Sequence, residues 1–383
     1  MNRLSVRTVL ALLAAVALAA TLVPGPAPAQ EPVRIGFFSP VSGLGAADGT
    51  SARRAAELAV EDINGKGGIN GRPVELQAYD DQSDAKQAVS IAQKLVQADR
   101  VVAAVSGSYS FTTRPAASVF QSASVPLLSA YAVHPGIPAT GDLVFQMIYS
   151  GEVKGKALGN YAVRHMGLKN LGLVVWDNDY GKSIARGLEA EVARLGSKIA
   201  LQRTFASGEK DFAPLVTAMK AAGPDGLVVL ATYAAGAEIV RQARRLGISA
   251  PLLGPDGLDT PEFVKLAGAA GNGVVVGTNF SRDDQRPIVQ QFISRFRQRY
   301  QTEPDMVGAS TYDSLLLLAA ALRQAGTDPQ KIKAALADTR EFEGVTGKIS
   351  FDSARSVQRP VVFARIDNGQ YRTIAILSLA DLQ

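Results

Sequence analysis

The stretch Ala104–Pro135, AVSGSYSFTTRPAASVFQSASVPLLSAYAVHP, reads as a strand, a loop rich in hydroxyls, a helix and a second strand. The apolar run stops in Ser106-Gly107-Ser108-Tyr109-Ser110, a helix is expected from Phe111 to Ala123, and Val125 to Leu128 is a buried strand. Two strands joined through a helix lie parallel, because parallel neighbours need a long crossover. In open parallel sheets ligands sit beyond the carboxyl ends of the strands, where helix N-termini and loop N–H groups point. The loops Ser106 to Ser110 and Ser129 to Val133 each carry hydroxyls and a tyrosine. They are therefore expected to be neighbouring walls of one small-molecule site.

The pattern repeats on both sides of this stretch. Val33 to Phe38 is a strand, and Ala52, Ala55, Ala56, Ala59, Val60 and Ile63 then form one apolar stripe of a helix. Val74 to Tyr79 is a second strand, after which Asp84 caps a helix with Ala88, Ala92 and Leu95 on one face. Downstream, strands are expected at Leu171–Trp176, Ile199–Phe205, Leu227–Ala231, Leu252–Gly254 and Val274–Thr278. These alternate with helices such as the one striped by Ile184, Ala185, Leu188 and Val192. A second α/β unit follows the first.

At 383 residues the chain is long enough for two such units, each with an ordinary core. Arg3 and Arg7 precede an apolar run from Val9 to Val23, then Pro24, Pro26 and Ala27-Pro28-Ala29, the layout of a secretory signal peptide. The run is shorter than the roughly 20 residues of a spanning helix, so cleavage is expected near Ala29/Gln30. The formal charge is +5, and losing Arg3 and Arg7 leaves +3, too mild and too evenly spread to suggest nucleic acid. With no cysteine, an exported chain must rely on core burial in place of disulfides.

Reactive groups are scarce. There is no thiol, and the histidines are His134 and His165. His165 falls at a helix end, while His134 lies beside the expected pocket. Gly181-Lys182-Ser183 ends like a phosphate loop, but Trp176 stands where the leading glycine is needed. Gly43-Leu44-Gly45 runs on to Asp48, where a dinucleotide fingerprint needs its third glycine. Asp80, Asp81 and Asp84 lack EF-hand spacing and read as solvated surface. Neither a metal nor a cofactor is expected, and neither is an enzyme.

Four segments, together with the stretch Ala104–Pro135 that lies between the first two, carry a resemblance. ELAVEDINGKGGINGRPVELQAYDDQSDAKQAVSIAQKLV (Glu57–Val96), LGLVVWDNDYGKSIARGLEAEV (Leu171–Val192), RQARRLGISAPLLGPDGL (Arg241–Leu258) and TYDSLLLLAAAL (Thr311–Leu322) occur in that order. Together they resemble the periplasmic solute-binding proteins of branched-chain amino acid ABC transporters. The resemblance implies an α/β fold of two Rossmann-like lobes with parallel-rich sheets, joined by a three-segment hinge. The expected division is 30–150 plus 279–355 for lobe one and 151–278 plus 356–383 for lobe two, after a signal peptide at 1–29. It further implies a periplasmic monomer that passes a small-molecule ligand to a membrane permease.

By the same resemblance, Ser110 takes the ligand carboxylate, with Ser108 and Tyr109 beside it, although Ser110 would also serve as a helix cap. Ser129, Tyr131, Ala132 and Val133 supply the second loop, and Val133 stands where amino-acid-binding relatives carry a threonine at or next to that place. Lobe two contributes Tyr180, Thr232, Tyr233 and Asp256, the last as an acid for the ligand ammonium. Asp48 occupies a place that is often aromatic, and an inward-facing acid there would favour a cationic or hydroxyl-rich ligand. A branched-chain or aliphatic amino acid, or a related small carboxylate, is the expected ligand. An aromatic acid, an amide, a polyol and a sensor role remain alternatives. A transcription regulator on this fold would carry a DNA-binding module where this chain has an export signal.

Overall fold

In the computed structural model, which describes residues 31–382, the apolar strands read from the sequence assemble into two sheets. The first uses β1 (Val33–Ser39), α1 (Ala46–Gly65), β2 (Val74–Asp80), α2 (Ala85–Gln97), β3 (Ala103–Ser106), α3 (Ser110–Ser122), β4 (Leu127–Ser129) and β5 (Val144–Gln146). Its order is β2-β1-β3-β4-β5, and every pair is parallel. Helices on both faces leave the central strands buried on each side, hence their near-continuous apolar runs. The Asp84 carboxylate caps α2 by accepting from the Gln87 N–H at 2.8 Å. The expected signal peptide lies outside the described residues.

The second lobe contains α4 (Gly151–Asn160), β6 (Asn170–Trp176), α5 (Asp179–Arg194), β7 (Lys198–Phe205), α6 (Ala213–Ala222), β8 (Gly226–Leu230), α7 (Tyr233–Arg245), β9 (Leu252–Pro255), α8 (Pro261–Ala267) and β10 (Val275–Thr278). The chain then returns to lobe one as α9 (Pro287–Tyr300), α10 (Met306–Ala325) and α11 (Pro329–Ala337), with α10 packed along α1. A small antiparallel sheet follows: β11 (Phe342–Gly344), β12 (Gly347–Phe351) and β13 (Val357–Gln358). Finally β14 (Val361–Asp367) and β15 (Gln370–Leu377) complete the second sheet, ordered β15-β14-β10-β9-β8-β6-β7.

Two features depart from the sequence reading. Val357–Gln358 pairs with β12, so its ladder hydrogen bonds hold it to lobe one and the third crossing follows Gln358, beyond the expected 355/356 boundary. The last strand, Gln370–Leu377, is not anticipated, yet its hairpin is marked by Asn368-Gly369, both at positive φ (50° and 77°), as a type I′ turn requires.

The crossing segments are laced together. The Tyr149 hydroxyl donates to the Thr278 carbonyl at 3.0 Å, joining the first two crossings. The buried Arg359 guanidinium reaches the Met147 carbonyl and the Thr346 hydroxyl, joining the third to the first. Asp313 on α10 accepts from the Val345 and Thr346 N–H groups at 2.8 and 2.9 Å, fixing the turn that leads to that crossing. In lobe two, Gly151, Gly155 and Gly159 lie four residues apart on α4, so α5 comes close against that face. A Cβ on Gly155 would fall 1.9 Å from the Ile184 carbonyl oxygen.

Candidate functional site

Helix α3 begins at the carboxyl end of β3, and its first N–H groups have no intrahelical partner. Ser110 is its first residue, but its hydroxyl does not cap it. The Ser110 Oγ accepts the N–H groups of Val133 and His134 at 3.1 and 3.3 Å, binding the first loop to the second. Because both of those contacts use the oxygen as acceptor, the hydroxyl hydrogen is left to donate elsewhere.

A small cavity opens beside Ser110 between the lobes. Of the residues read from the sequence, Asp48, Tyr109, Ser110, Tyr131, Ala132, Tyr180, Thr232 and Asp256 line it. Four others do not. The Ser108 hydroxyl pairs with that of Thr112 at 2.7 Å inside the first turn of α3. Ser129 ends β4 in the sheet interior, its Oγ buried without a partner among the described residues. Val133 faces the core and gives its carbonyl to the Gly151 N–H at 2.8 Å. Tyr233 lies at the rim: its hydroxyl donates to the Leu44 carbonyl at 3.3 Å and receives the Ala47 N–H at 3.4 Å.

The sequence reading misses Phe111, Trp176, Gly257, Met306 and Val307, which complete the lining. Trp176 is the last residue of β6, a position whose meaning the failed phosphate-loop comparison obscures. Its ring meets those of Tyr109 and Phe111 edge-on, at centroid distances of 6.5 and 6.2 Å, across the gap between the lobes. With the Arg114–Asp179 ion pair at 3.0 Å and the Tyr233 contacts, these rings hold the lobes together.

Three carboxyls shape the electrostatics. Asp48, on the first turn of α1, is buried and accepts the Tyr109 hydroxyl at 2.7 Å. Burial, then the charge of Asp305, pushes its pKa up to about 8, the Tyr109 hydrogen bond opposing. Asp305 caps α10 through the Gly308 N–H at 2.8 Å, and burial lifts it to about 6. Asp256 meets the Lys154 ammonium in a contact sealed from solvent, and accepts the Tyr180 hydroxyl at 3.1 Å on its other oxygen. Burial lowers the Lys154 pKa, and Asp256 opposes that shift. Lys154 is the site residue that sequence reasoning misses most consequentially.

Other candidates fall away from the cavity. His134 Nδ1 accepts the Gly136 N–H at 3.0 Å within a turn. Asp81 is fully buried, a correction to its reading as solvated surface: its Oδ1 accepts the Ser83 N–H at 2.9 Å, folding the loop inward. Among the described residues no group of three or more His, Cys, Asp or Glu is arranged to hold a metal ion.

The periplasmic binding protein family model matches residues 32–370. This chain belongs to that family. Among curated proteins, it is 30% identical over 326 residues to the leucine-, isoleucine-, valine-, threonine- and alanine-binding protein of Pseudomonas aeruginosa, covering 85% of this chain and 87% of that one. Among solved structures, the branched-chain amino acid transporter substrate-binding protein LivJ of Streptococcus pneumoniae, in complex with isoleucine, aligns with a TM-score of 0.85 and 32% identity, covering 90% of this chain and 99% of that one. The leucine-binding protein LivK of Thermotoga maritima aligns with a TM-score of 0.86 and 25% identity, covering 91% and 99%. As a periplasmic binding protein of the type found in ABC importers, the chain binds a solute and carries out no catalysis. The two-lobed, parallel-rich fold expected from the sequence is the fold of this family.

Proposed function

We propose that the chain captures a small carboxylate, an aliphatic amino acid foremost, between its lobes in the periplasm and delivers it as a monomer to the permease of an ABC importer. The observation that carries this reading is the Ser110 hydroxyl. Both neighbouring N–H groups donate to its oxygen, so its hydrogen is free for an acceptor lying at the N-terminus of α3. An anion there also meets the open N–H groups and the positive end of the helix dipole. Lobe one holds the ligand first, and Tyr180, Thr232 and Trp176 of lobe two then cover it. Only contacts made to both lobes shift the balance toward closure, because a ligand moves an equilibrium by its differential affinity alone.

The rings of Tyr109, Phe111, Tyr131, Trp176 and Tyr180 around the cavity support a second reading, an aromatic acid held by its carboxylate at the same helix end. A thermal-shift screen over amino acids, aromatic acids and amides separates the two, since a ligand of the native state alone raises the apparent melting temperature. Ser110→Ala should weaken the best binder by roughly ten-fold or more, the range for a hydrogen bond to a charged group. Unchanged affinity removes Ser110 from the site. Export with cleavage near Ala29 is checked by the N-terminal mass of the periplasmic protein.

A further inference from the structure

The cavity contains two lining carboxylates, and they are not equivalent. Asp256, the acid expected to hold a ligand ammonium, is already occupied: the Lys154 ammonium touches one oxygen and the Tyr180 hydroxyl the other. The Lys154 and Asp256 side chains are 1% and 2% exposed. A buried pair of this kind has no net charge to offer, and parting it would leave each ion unpaired in a medium of low dielectric. Asp48 is different. It lines the same cavity from lobe one, and among the described residues no Lys, Arg or His pairs with it. Its one hydrogen-bond partner is the Tyr109 hydroxyl.

We infer that the ligand carries a cationic nitrogen, that Asp48 receives it, and that Lys154 fixes this choice by cancelling Asp256. The inference rests on the reading of the site as a carboxylate clamp and narrows the ligand to amine-bearing acids. Both charged ends of the ligand then engage lobe one: the carboxylate at Ser110 and α3, the amine at Asp48 on α1. Lobe two contributes rings and the neutral Lys154–Asp256–Tyr180 group. Tyr109 and Tyr131 offer ring surface beside the Asp48 carboxylate, and a desolvated cation is attracted to such faces.

The assignment predicts a proton balance. The titratable groups around Asp48 are Tyr109 on the first loop, Tyr131 on the second, Asp305 ahead of α10, Asp256 with its Lys154, Tyr180 of α5, Asp259 with its Arg282 partner at 2.6 Å, and Tyr233 of α7. No uncompensated cation is among them, so the empty site keeps Asp48 protonated at pH 7, in keeping with its pKa of about 8. An incoming ammonium binds the carboxylate and displaces that proton. Binding at pH 7 should therefore release about one proton per ligand, and affinity should rise between pH 6 and pH 8.

The test is isothermal titration of the full protein with three amine-bearing acids, L-leucine, L-alanine and L-phenylalanine, and with their deaminated counterparts, 4-methylpentanoate, propanoate and 3-phenylpropanoate. Each is measured at pH 7 in two buffers of different ionisation enthalpy. The expected result is that an amine-bearing acid binds at least about ten-fold tighter than its counterpart, with release of close to one proton, and that Asp48→Asn loses about 10- to 100-fold for it. The proton count is read on the wild-type chain, so it stands even if the variant folds poorly. A deaminated acid that binds as tightly as its amine, or amine binding without proton release, overturns the inference and leaves the carboxylate clamp standing. Binding of none of the six overturns the clamp and the inference with it.

Discussion

The Lys154 ammonium and the Asp256 carboxylate form an ion pair sealed inside lobe two, between the first helix of that lobe and the turn that follows β9. Removing one partner of such a pair strands a charge, whereas removing both leaves nothing to solvate. Lys154→Met should therefore cost roughly 3–5 kcal/mol in urea unfolding, and Lys154→Met with Asp256→Asn should recover most of that loss. Equal destabilisation by the single and the double variant would mean that the two residues do not act as a pair.

Stability without ligand should fall as pH rises. Asp48 titrates near 3.8 when unfolded and near 8 when folded. Between those values the folded chain holds a proton that the unfolded chain has lost, so each step up in pH favours unfolding. Asp305 and Asp81, both lifted to about 6, add to the slope in its lower half. Asp48→Asn keeps an acceptor for the Tyr109 hydroxyl and removes the Asp48 contribution. Its melting temperature at pH 8 should exceed that of the wild type, and its pH dependence should be shallower; a lower melting temperature at pH 8 contradicts the assignment. The site thus holds a group whose ionised form the empty fold disfavours.

Much of this architecture is written locally. The stripes of α1 and α2, the buried strands and the Asp84 cap are short-range signals, and they suffice for the order of elements. The two loops that Ser110 bridges are also legible, because each follows a strand at its carboxyl end. Lys154 is not. It lies 102 residues from Asp256 on a glycine-rich helix, and nothing near it in sequence distinguishes it from a surface lysine such as Lys156. Met306 and Val307 are hidden for the same reason: they reach the cavity only because α10 packs along α1. Ser108 and Ser129 mislead in the opposite direction, since a hydroxyl near a strand end can turn into a helix turn or into the sheet interior and away from a ligand.

Helix packing in lobe two should be intolerant of one methyl group. A side chain at Gly155 meets the Ile184 carbonyl and the Leu188 N–H, backbone atoms that move only if α5 moves. Gly155→Ala should cost about 1–3 kcal/mol despite the better helix propensity of alanine. Thermal unfolding of the variant checks this, and a gain in stability would show that the helices are further apart.

The rim contacts should tune closure without affecting either lobe. Tyr233→Phe removes two long hydrogen bonds between the lobes, to Leu44 and Ala47. The expected loss is a few-fold in ligand affinity, at about 0.5–1.5 kcal/mol per hydrogen bond as an upper range, with an unchanged melting temperature in the absence of ligand. Arg114→Ala should do less, because its pair with Asp179 is about half exposed on the arginine side, and its effect should vanish in high salt.

A ligand held by lobe one should draw lobe two over it. Small-angle X-ray scattering of the wild-type protein, with and without a saturating amount of the best amino acid from the titration panel, reads this closure. The expected result is a smaller radius of gyration with ligand, and a smaller contraction in Tyr233→Phe under the same conditions. Binding by calorimetry with no change in the dimensions of the wild-type chain would contradict it.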